Sequence, residues 1–137
     1  MLDRPRKMTA ERVAKSREYS ADGAALAKYA EASGDHNPIH LDPDAARKAG
    51  LEDCVVHGML IMAWAASVAA EVVGGAQNLK SLRMRFKSPL YVGVQATVTA
   101  EAVEATGEQI DVRVTVSDPS GLTCASGSGI ATARRFH

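Results

Sequence analysis

One long apolar segment limits what this chain can fold into. From Met59 to Val73 the sequence reads "MLIMAWAASVAAEVV", and only Ser67 and Glu71 interrupt its apolar character. A helix that is apolar on every face is expected to be buried on every face. The segment is shorter than the 18 or more apolar residues that suggest a membrane span. We therefore expect it to form the central helix of a soluble core, with no membrane association.

The C-terminal half of the chain changes from a helical period to a period of two. Residues 96–102 and 110–116 each place Ala, Val or Ile on one face and Thr, Asp, Glu or Arg on the other. This alternation predicts half-buried antiparallel strands in a meander that starts at Leu79. A sheet with one apolar face and a wholly apolar helix satisfy each other if the sheet curls around the helix, which gives an α+β fold. The sequence also predicts two hairpin turns and a last strand: Thr106–Glu108, Asp118–Gly121 and Leu122–Ala133.

The N-terminal half is predicted to carry two shorter helices. One spans Asp22 to Ser33, with Ser20 or Asp22 as its N-cap, and stops at Gly34. The other runs from an N-cap at Asp42 to Gly50. The charged residues 1–16 are expected to be frayed or to form a poorly ordered extension. A length of 137 residues suits one domain of ordinary size, so we expect residues 1–137 to form a single domain.

Charge and cysteine content narrow the class of protein. Sixteen basic residues balance sixteen acidic ones, so no overall field favours nucleic acid or an anionic membrane surface as a partner. Cys54 and Cys124 lie far apart in apolar stretches without a CxxC pattern, which is typical of reduced core thiols in a cytosolic protein. The first twenty residues contain no apolar signal-peptide core. We therefore expect a cytoplasmic location.

The segment "GDHNPIH", Gly34 to His40, concentrates polar chemistry around one proline. Pro38 prevents a regular helix through the segment and restricts Asn37 to extended geometry. A rigid turn can hold a carboxylate and an imidazole within hydrogen-bonding reach of one water molecule. Asp35 and His40 are thus candidates for acid/base chemistry, although an Asx-type turn alone also explains this pattern.

Gly58 stands where the apolar helix begins. The first N–H groups of a helix lack intrahelical partners and lie at the positive end of its dipole. Such an end can bind a carbonyl oxygen that gains negative charge, and a glycine lets a substrate approach the backbone closely. The alternative is that Gly58 only relieves crowding at the start of the helix. Together with Asp35 and His40, the first interpretation indicates proton chemistry beside a polarised carbonyl, such as hydration of an α,β-unsaturated thioester.

The segment "YAEASGDHNPIHLDPDAA" resembles the hydratase 2 motif of the MaoC-like family. This family contains (R)-specific enoyl-CoA hydratases and (3R)-hydroxyacyl-acyl carrier protein dehydratases that share the pattern Gly-Asp-x-Asn-Pro-x-His. The blocks "VVHGML" and "MRFKSPLYVG" are similar to later blocks of the family, in the same order and at similar spacing. The resemblance runs from Ser20 to the last strand. It implies a hot dog fold, in which a curved antiparallel sheet wraps a long central helix, and a homodimer or an oligomer of dimers.

The resemblance also implies roles for individual residues. Asp35 and His40 match the catalytic dyad that activates water for addition to C3 of a trans-2-enoyl thioester, and Asn37 matches a residue that supports the dyad. Gly58 matches the glycine whose N–H binds the thioester oxygen. The implied partner is an acyl-CoA or acyl carrier protein thioester, so CoA or phosphopantetheine is part of the substrate. No cofactor is implied.

Four further residues are candidates for substrate binding: His57, Met59, Arg85 and Lys87. Arg85 and Lys87 continue an alternation that starts at Arg83, and they either meet the phosphates of the carrier or form a solvated strand face. Met59 belongs to the core, to an acyl tunnel, or to both. His57 is expected to orient the loop that leads into the helix through a backbone contact.

A metal site is a weaker hypothesis. His36 and His40 are four residues apart and, with Asp35 and His57, offer side chains that bind zinc. Pro38 argues against the helix that would place the two histidines on one face, so we expect no metal.

Two other functions remain open from the sequence. A hot dog thioesterase also places a carboxylate near a helix N-terminus, but it has no need for the Asn-Pro-x-His that follows Asp35. A non-catalytic subunit of a heterodimeric dehydratase has no physical need for both Asp35 and His40.

Overall fold

Residues 13–132 form a five-stranded antiparallel sheet with three α-helices. The computed structural model describes residues 13–132, and their side chains except those of residues 104–106. Two short 3-10 turns, Pro38–His40 and Ala76–Asn78, precede α2 and β2 respectively. The elements in chain order are β1 (Val13–Tyr19), α1 (Gly23–Ser33), α2 (Pro43–Lys48), α3 (Gly58–Val72), β2 (Leu79–Phe86), β3 (Ala96–Thr106), β4 (Gln109–Ser117) and β5 (Thr123–Thr132).

The sheet wraps around one side of α3. Its strand order is β1-β3-β4-β5-β2, and every neighbouring pair is antiparallel. Register shifts in β2, β3 and β4 mark irregularities of the kind that bend a strand. The predicted α+β hot dog architecture, a curved antiparallel sheet around a long central helix, is confirmed. The buried residues between the two layers include Ile61, Trp64, Ala65, Val68, Ala69 and Val72 of α3 and Ala96, Val98, Ala100, Val112, Val114 and Val116 of the sheet.

The prediction that α3 is buried on every face is wrong for this chain. Met59, Ala63 and Ser67 follow one another at intervals of four residues on an exposed face, and the Met59 side chain is 63% exposed. The sheet covers only the opposite face, and no other described element covers this one. Composition identifies a helix as apolar, but it does not tell which surface covers each face. Within residues 13–132, no helix is both long enough and apolar enough to cross a membrane.

Strand β1 corrects the prediction for the N-terminal segment. Residues 1–12 of the expected frayed segment lie outside the described residues, whereas Val13 to Ser16 belong to a strand that pairs with β3. The Ser16 and Thr99 hydroxyls form a hydrogen bond of 2.8 Å across this pair. Because β1 is an edge strand with mostly exposed side chains, it lacks the alternation of apolar and polar residues by which strands are recognised.

Strand β2 lies at the other edge of the sheet rather than in a meander with β3. It pairs with β5, whose Gly127 and Gly129 pass close to the main-chain carbonyls of Arg83 and Ser81. A Cβ atom at either glycine would clash with those carbonyls, so the two glycines permit the pairing. β3, β4 and β5 do form the predicted meander, with turns at the two predicted positions.

The other local predictions are confirmed. Asp22 caps α1, which ends at Gly34 with φ of +82°, and Asp42 caps α2. Cys54 and Cys124 are free and buried, and burial raises the pKa of both thiols.

Candidate active site

The turn between α1 and α2 is held by its own side chains. The Asp35 Oδ1 atom accepts a hydrogen bond of 3.2 Å from the Asn37 N–H, and the Asn37 Oδ1 atom accepts one of 3.2 Å from the Ile39 N–H. Asn37 thereby caps the 3-10 turn that begins with Pro38. The segment forms no regular α-helix, as predicted, although Pro38–His40 adopts one short 3-10 turn that Asn37 supports.

His40 is buried under this turn, with 8% of its surface exposed. Its Nδ1 atom lies 2.7 Å from the Val55 carbonyl oxygen. A carbonyl oxygen only accepts hydrogen bonds, so Nδ1 carries the proton and the neutral ring keeps its lone pair on Nε2. That Nε2 atom is 3.8 Å from the Asp35 Oδ2 atom. The structure thus brings the two predicted dyad residues together across a gap that a water molecule can bridge.

The Asp35 side chain is open to solvent, whereas the His40 side chain is buried. Half of its surface is exposed, against 9% of the His40 side chain. A substrate can therefore approach the pair from the Asp35 side. The buried imidazole stays fixed by Val55, whereas Oδ2 of the carboxylate remains available to a water molecule.

The first turn of α3 offers unpaired donors beside this pair. His57 is the N-cap residue of α3, but its side chain makes no capping hydrogen bond. Among the described residues, neither the Gly58 N–H nor the Met59 N–H donates to a protein acceptor. These donors lie at the positive end of a fifteen-residue helix, where negative charge is stabilised.

The environment of Gly58 argues against crowding as the reason for a glycine. A Cβ atom at this position would lie 3.6 Å from the nearest atom of the Phe86 ring, which is ordinary van der Waals contact. The protein therefore has room for an alanine here. Phe86 is itself half-exposed and covers the helix start from the β2 side.

His57 lies beneath His40 rather than at the surface. It is 1% exposed, and its Nε2 atom is 3.2 Å from the Asp35 main-chain oxygen. The expected backbone contact is thus present, whereas so complete a burial leaves little of the side chain for contact with substrate. The rings of His40 and His57 stack with centroids 3.8 Å apart and an interplanar angle of 19°.

Three side chains at this site carry metal-ligand atoms within 4.8 Å of one another: Asp35, His40 and His57. Nearly parallel stacked imidazoles cannot both direct in-plane lone pairs at one ion, so the two histidines do not act together as ligands. Asp35 and one histidine make too small a ligand set for zinc. The geometry does not favour a metal centre, and the absence of metal stays a prediction.

Of the remaining predicted residues, Met59 lies at the helix start beside the dyad, whereas Arg85 and Lys87 lie on or just beyond β2. Phe86 faces α3, so the alternation of β2 places Arg85 on the opposite, outer face of the sheet. Lys87 is exposed just beyond the end of β2. Met59 is exposed in the first turn of α3, next to Gly58. The structure brings only Met59 of these three to the neighbourhood of the dyad.

Two participants in the site carry no signal of their own in the sequence. The Val55 carbonyl orients His40, and a main-chain atom cannot be recognised from residue type. The rings of Tyr29 and His57 pack edge to face with centroids 4.7 Å apart, and residue type alone does not indicate this contact.

The fold and the site together define a hot dog domain with an Asp–His pair beside an unpaired helix N-terminus. Residues 5–120 match the family described as "MaoC like domain", so the chain belongs to the MaoC-like family.

Known relatives are similar over part of the chain. A mitochondrial 3-hydroxyacyl-[acyl-carrier-protein] dehydratase of Arabidopsis thaliana is 40% identical over 75 residues, which cover 55% of this chain and 45% of the relative. The (R)-specific enoyl-CoA hydratase of Aeromonas caviae is 34% identical over 79 residues, or 57% of this chain and 59% of the relative. The chain thus matches about half the length of these relatives.

A solved structure extends the similarity to most of the chain. The unliganded R-hydratase PhaJ1 of Pseudomonas aeruginosa superposes with a TM-score of 0.80 at 25% identity. The match covers 90% of this chain and 81% of that one.

Proposed function

We propose that this protein is an (R)-specific enoyl-CoA hydratase or (3R)-hydroxyacyl thioester dehydratase. It would add water reversibly across the C2–C3 double bond of a trans-2-enoyl thioester. The observation that carries the proposal is the 3.8 Å separation between Asp35 Oδ2 and His40 Nε2, with His40 Nδ1 committed to Val55. Membership of the MaoC-like family and the similarity to hydratases and dehydratases support it.

The dyad would hold the water molecule and move its proton. A water between the two side chains donates one hydrogen to the Asp35 carboxylate, which orients it, and the other to His40 Nε2. As the water oxygen bonds to C3, His40 takes this second proton, and the dyad then delivers a proton to C2. The product keeps one water hydrogen in its 3-hydroxyl group, so atoms and charges balance. Dehydration follows the same path in reverse.

The start of α3 would stabilise the charge that develops on the thioester. Addition of water to C3 pushes electrons through the conjugated system onto the thioester oxygen. The Gly58 N–H is unpaired among the described residues and lies at the positive end of the helix dipole, so it suits this oxygen. No step of this mechanism needs a metal or a redox cofactor, because each step moves only a proton or an electron pair within the substrate.

The substrate would be an acyl-CoA or acyl carrier protein thioester. Met59 is exposed beside Gly58 and would contact the acyl chain where the site meets a second copy of the chain. Arg85 and Lys87 lie on the outer side of β2 and just after it, so they would meet carrier phosphates only where the carrier extends past the edge of the sheet.

We also propose that two copies of the chain pair, as a homodimer. The exposed face of α3, with Met59, Ala63 and Ser67, is mostly apolar and is left uncovered by the described part of this chain. A second copy would cover it.

We also propose a cytoplasmic location, because the two free, buried cysteines agree with a reducing compartment.

A single assay tests the proposed activity against its competitors. Purified protein is mixed with crotonyl-CoA, and both the conjugated enone absorbance and the free thiol are followed. Loss of absorbance without thiol release is the expected result. Thiol release would instead indicate a thioesterase, and no change with CoA or carrier-protein substrates would indicate a non-catalytic subunit. Both of the latter results contradict the proposal.

A further inference from the structure

His57 is the most completely buried titratable group near the dyad, and the proposed reaction gives it no proton to transfer. Its Nε2 atom lies 3.2 Å from the main-chain oxygen of Asp35, and its Nδ1 atom is buried without a hydrogen-bond partner in the described part of the chain. A buried polar atom without a partner is uncommon and calls for an explanation. The other parts of the ring explain why Nδ1 has no partner, since Nε2 contacts the Asp35 main chain and the ring face contacts His40.

The hydrogen bond determines the protonation state of the ring. Since the Asp35 carbonyl only accepts, Nε2 carries the hydrogen and Nδ1 is the bare nitrogen. A second proton on Nδ1 would create a charge that is buried without an acceptor and stacked against His40.

The groups around His57 favour this neutral ring. Burial lowers the pKa of His57, and the nearby His40 and His36 lower it as well, whereas the contact with Asp35 opposes them. Tyr29 of α1 packs against the ring in an edge-to-face arrangement.

We propose that His57 is a positioning residue, whose Nε2–H tethers the main chain of Asp35 and whose ring face supports His40, so that the dyad stays aligned with Gly58. This inference rests on the proposed hydratase function. His57 is the N-cap residue of α3, directly before Gly58, although its side chain makes no capping hydrogen bond. Its main chain therefore belongs to the start of the helix, while its ring contacts the turn through Nε2 and His40 through its face. The empty Nδ1 follows from this geometry, because the ring is oriented by its other nitrogen and its face.

A loss of this tether should slow the reaction more than it weakens substrate binding. Displacing catalytic groups by about 1 Å lowers the rate by about 100-fold. Asp35 and His40 would still be present but no longer held at the separation of 3.8 Å. The expected effect therefore falls on kcat rather than on KM.

Two substitutions distinguish the hydrogen bond from His57 Nε2–H to the Asp35 main chain from the space-filling role of the ring. Glutamine can place its side-chain amide N–H where the Nε2–H of histidine lies, whereas leucine fills the space without a donor. We expect His57→Leu to lower kcat about 100-fold with KM changed by less than about threefold, and His57→Gln to keep at least tenfold more activity than His57→Leu. The exposed His36, substituted as His36→Gln, is the matched control and should retain wild-type kcat.

Either of two results would overturn the inference. One is a His57→Leu variant with wild-type kcat, and the other is a folded His57→Gln variant as slow as His57→Leu. If His57→Leu fails to fold, His57→Asn replaces it, because asparagine is too short to reach the Asp35 carbonyl.

A measurement without substrate makes the inference independent of the assay. Nitrogen-15 NMR of the histidine rings in the wild-type protein should show His57 as the neutral Nε2–H tautomer at pH 6.5, where a free histidine is about half protonated. An Nδ1–H tautomer or a charged ring would overturn the tether. If the wild-type protein were inactive on enoyl thioesters, the proposed function would fail while this spectrum still decided whether the tether exists.

Discussion

The Nδ1 atom of His40 lies 2.7 Å from the carbonyl oxygen of Val55, fifteen residues further along the chain. Because of this contact, the two ring nitrogens of His40 have different roles, one structural and one chemical. Nδ1 binds the turn to the segment that leads into α3, and Nε2 is left with a lone pair near the Asp35 carboxylate. Structure and chemistry at His40 can therefore be separated by substitution.

The substitution His40→Asn should remove the chemistry and keep the fold. An asparagine amide can occupy the place of Nδ1 and donate to Val55, but it has nothing in the place of Nε2. We expect activity to fall by about 10² to 10⁴, the usual range for loss of a general acid or base. His40→Ala should be equally inactive and also less stable, by about 1–3 kcal/mol, because the buried Val55 carbonyl loses its partner. Urea unfolding and initial rates measure both effects, and equal stability of the two variants would contradict the assigned role of Nδ1.

Asp35→Asn should abolish the proposed activity without loosening the turn. The amide oxygen of asparagine can still accept the hydrogen bond from the Asn37 N–H, so only the negative charge is lost. We expect a loss of about 10² to 10⁴ in kcat with an unchanged melting temperature. Asp42→Asn is the matched control, since this neighbouring residue caps α2 and asparagine is an equally good cap. A similar loss of activity in both variants would refute a specific role for Asp35.

Gly58→Ala tests the helix start as the site of the thioester oxygen. The added methyl group fits beside Phe86, so the fold should persist with stability within about 1 kcal/mol of wild type. The methyl group would obstruct the approach of the substrate oxygen, and the loss of one such donor lowers kcat by about 10² to 10³. Gly23→Ala provides the control, because Gly23 is also the first residue of a helix and has open space around it. Wild-type activity in Gly58→Ala would rule out this role.

The stability of the protein should fall at mildly acidic pH because of His57. Its pKa in the folded protein is lowered, chiefly by burial, whereas the unfolded chain binds a proton near the ordinary value of about 6.5. Below that pH the unfolded state holds more protons at this site than the folded state, so stability falls as pH falls. Urea midpoints at several pH values between about 7.5 and 5.5 should show this slope in the wild type and a smaller slope in His57→Gln. Identical slopes would contradict a lowered pKa.

The exposed face of α3 should govern the association of two chains. A glutamate at position 63 would place a charge in the middle of this face, so Ala63→Glu is expected to convert a dimer into a monomer. Ala27→Glu, on the exposed side of α1, should leave the dimer intact. Light scattering after size exclusion distinguishes the two states. A dimeric Ala63→Glu variant would show that pairing uses another surface.

Elements whose residue pattern follows burial were predictable from the sequence. Residues 96–102 and 110–116 alternate because one face of each strand packs against α3, and Asp22 and Asp42 mark helix starts because their side chains cap free N–H groups. The same logic could not find β1, since an exposed edge strand depends on main-chain pairing with β3 rather than on side-chain type.

The candidate site was predictable in its members but not in its arrangement. The spacing of Asp35 and His40 around Pro38, with Gly58 at a helix start, indicated the chemistry. The partner of His40 is a main-chain carbonyl of Val55, and the burial of His57 depends on packing against Tyr29 and His40, so both follow only from the tertiary structure. The exposed face of α3 escaped prediction because an apolar residue does not tell what covers it.

Asp35 and His40 are proposed to add water to the double bond of an enoyl thioester. The most direct measurement incubates wild-type protein and Asp35→Asn in parallel with crotonyl-CoA and determines the amount and configuration of the 3-hydroxybutyryl-CoA formed. The wild type should form (3R)-product, and the variant should form at least about 100-fold less of it. A wild-type protein that forms no hydroxyacyl product, or a variant that forms it at the wild-type rate, would rule out hydration by Asp35 and His40.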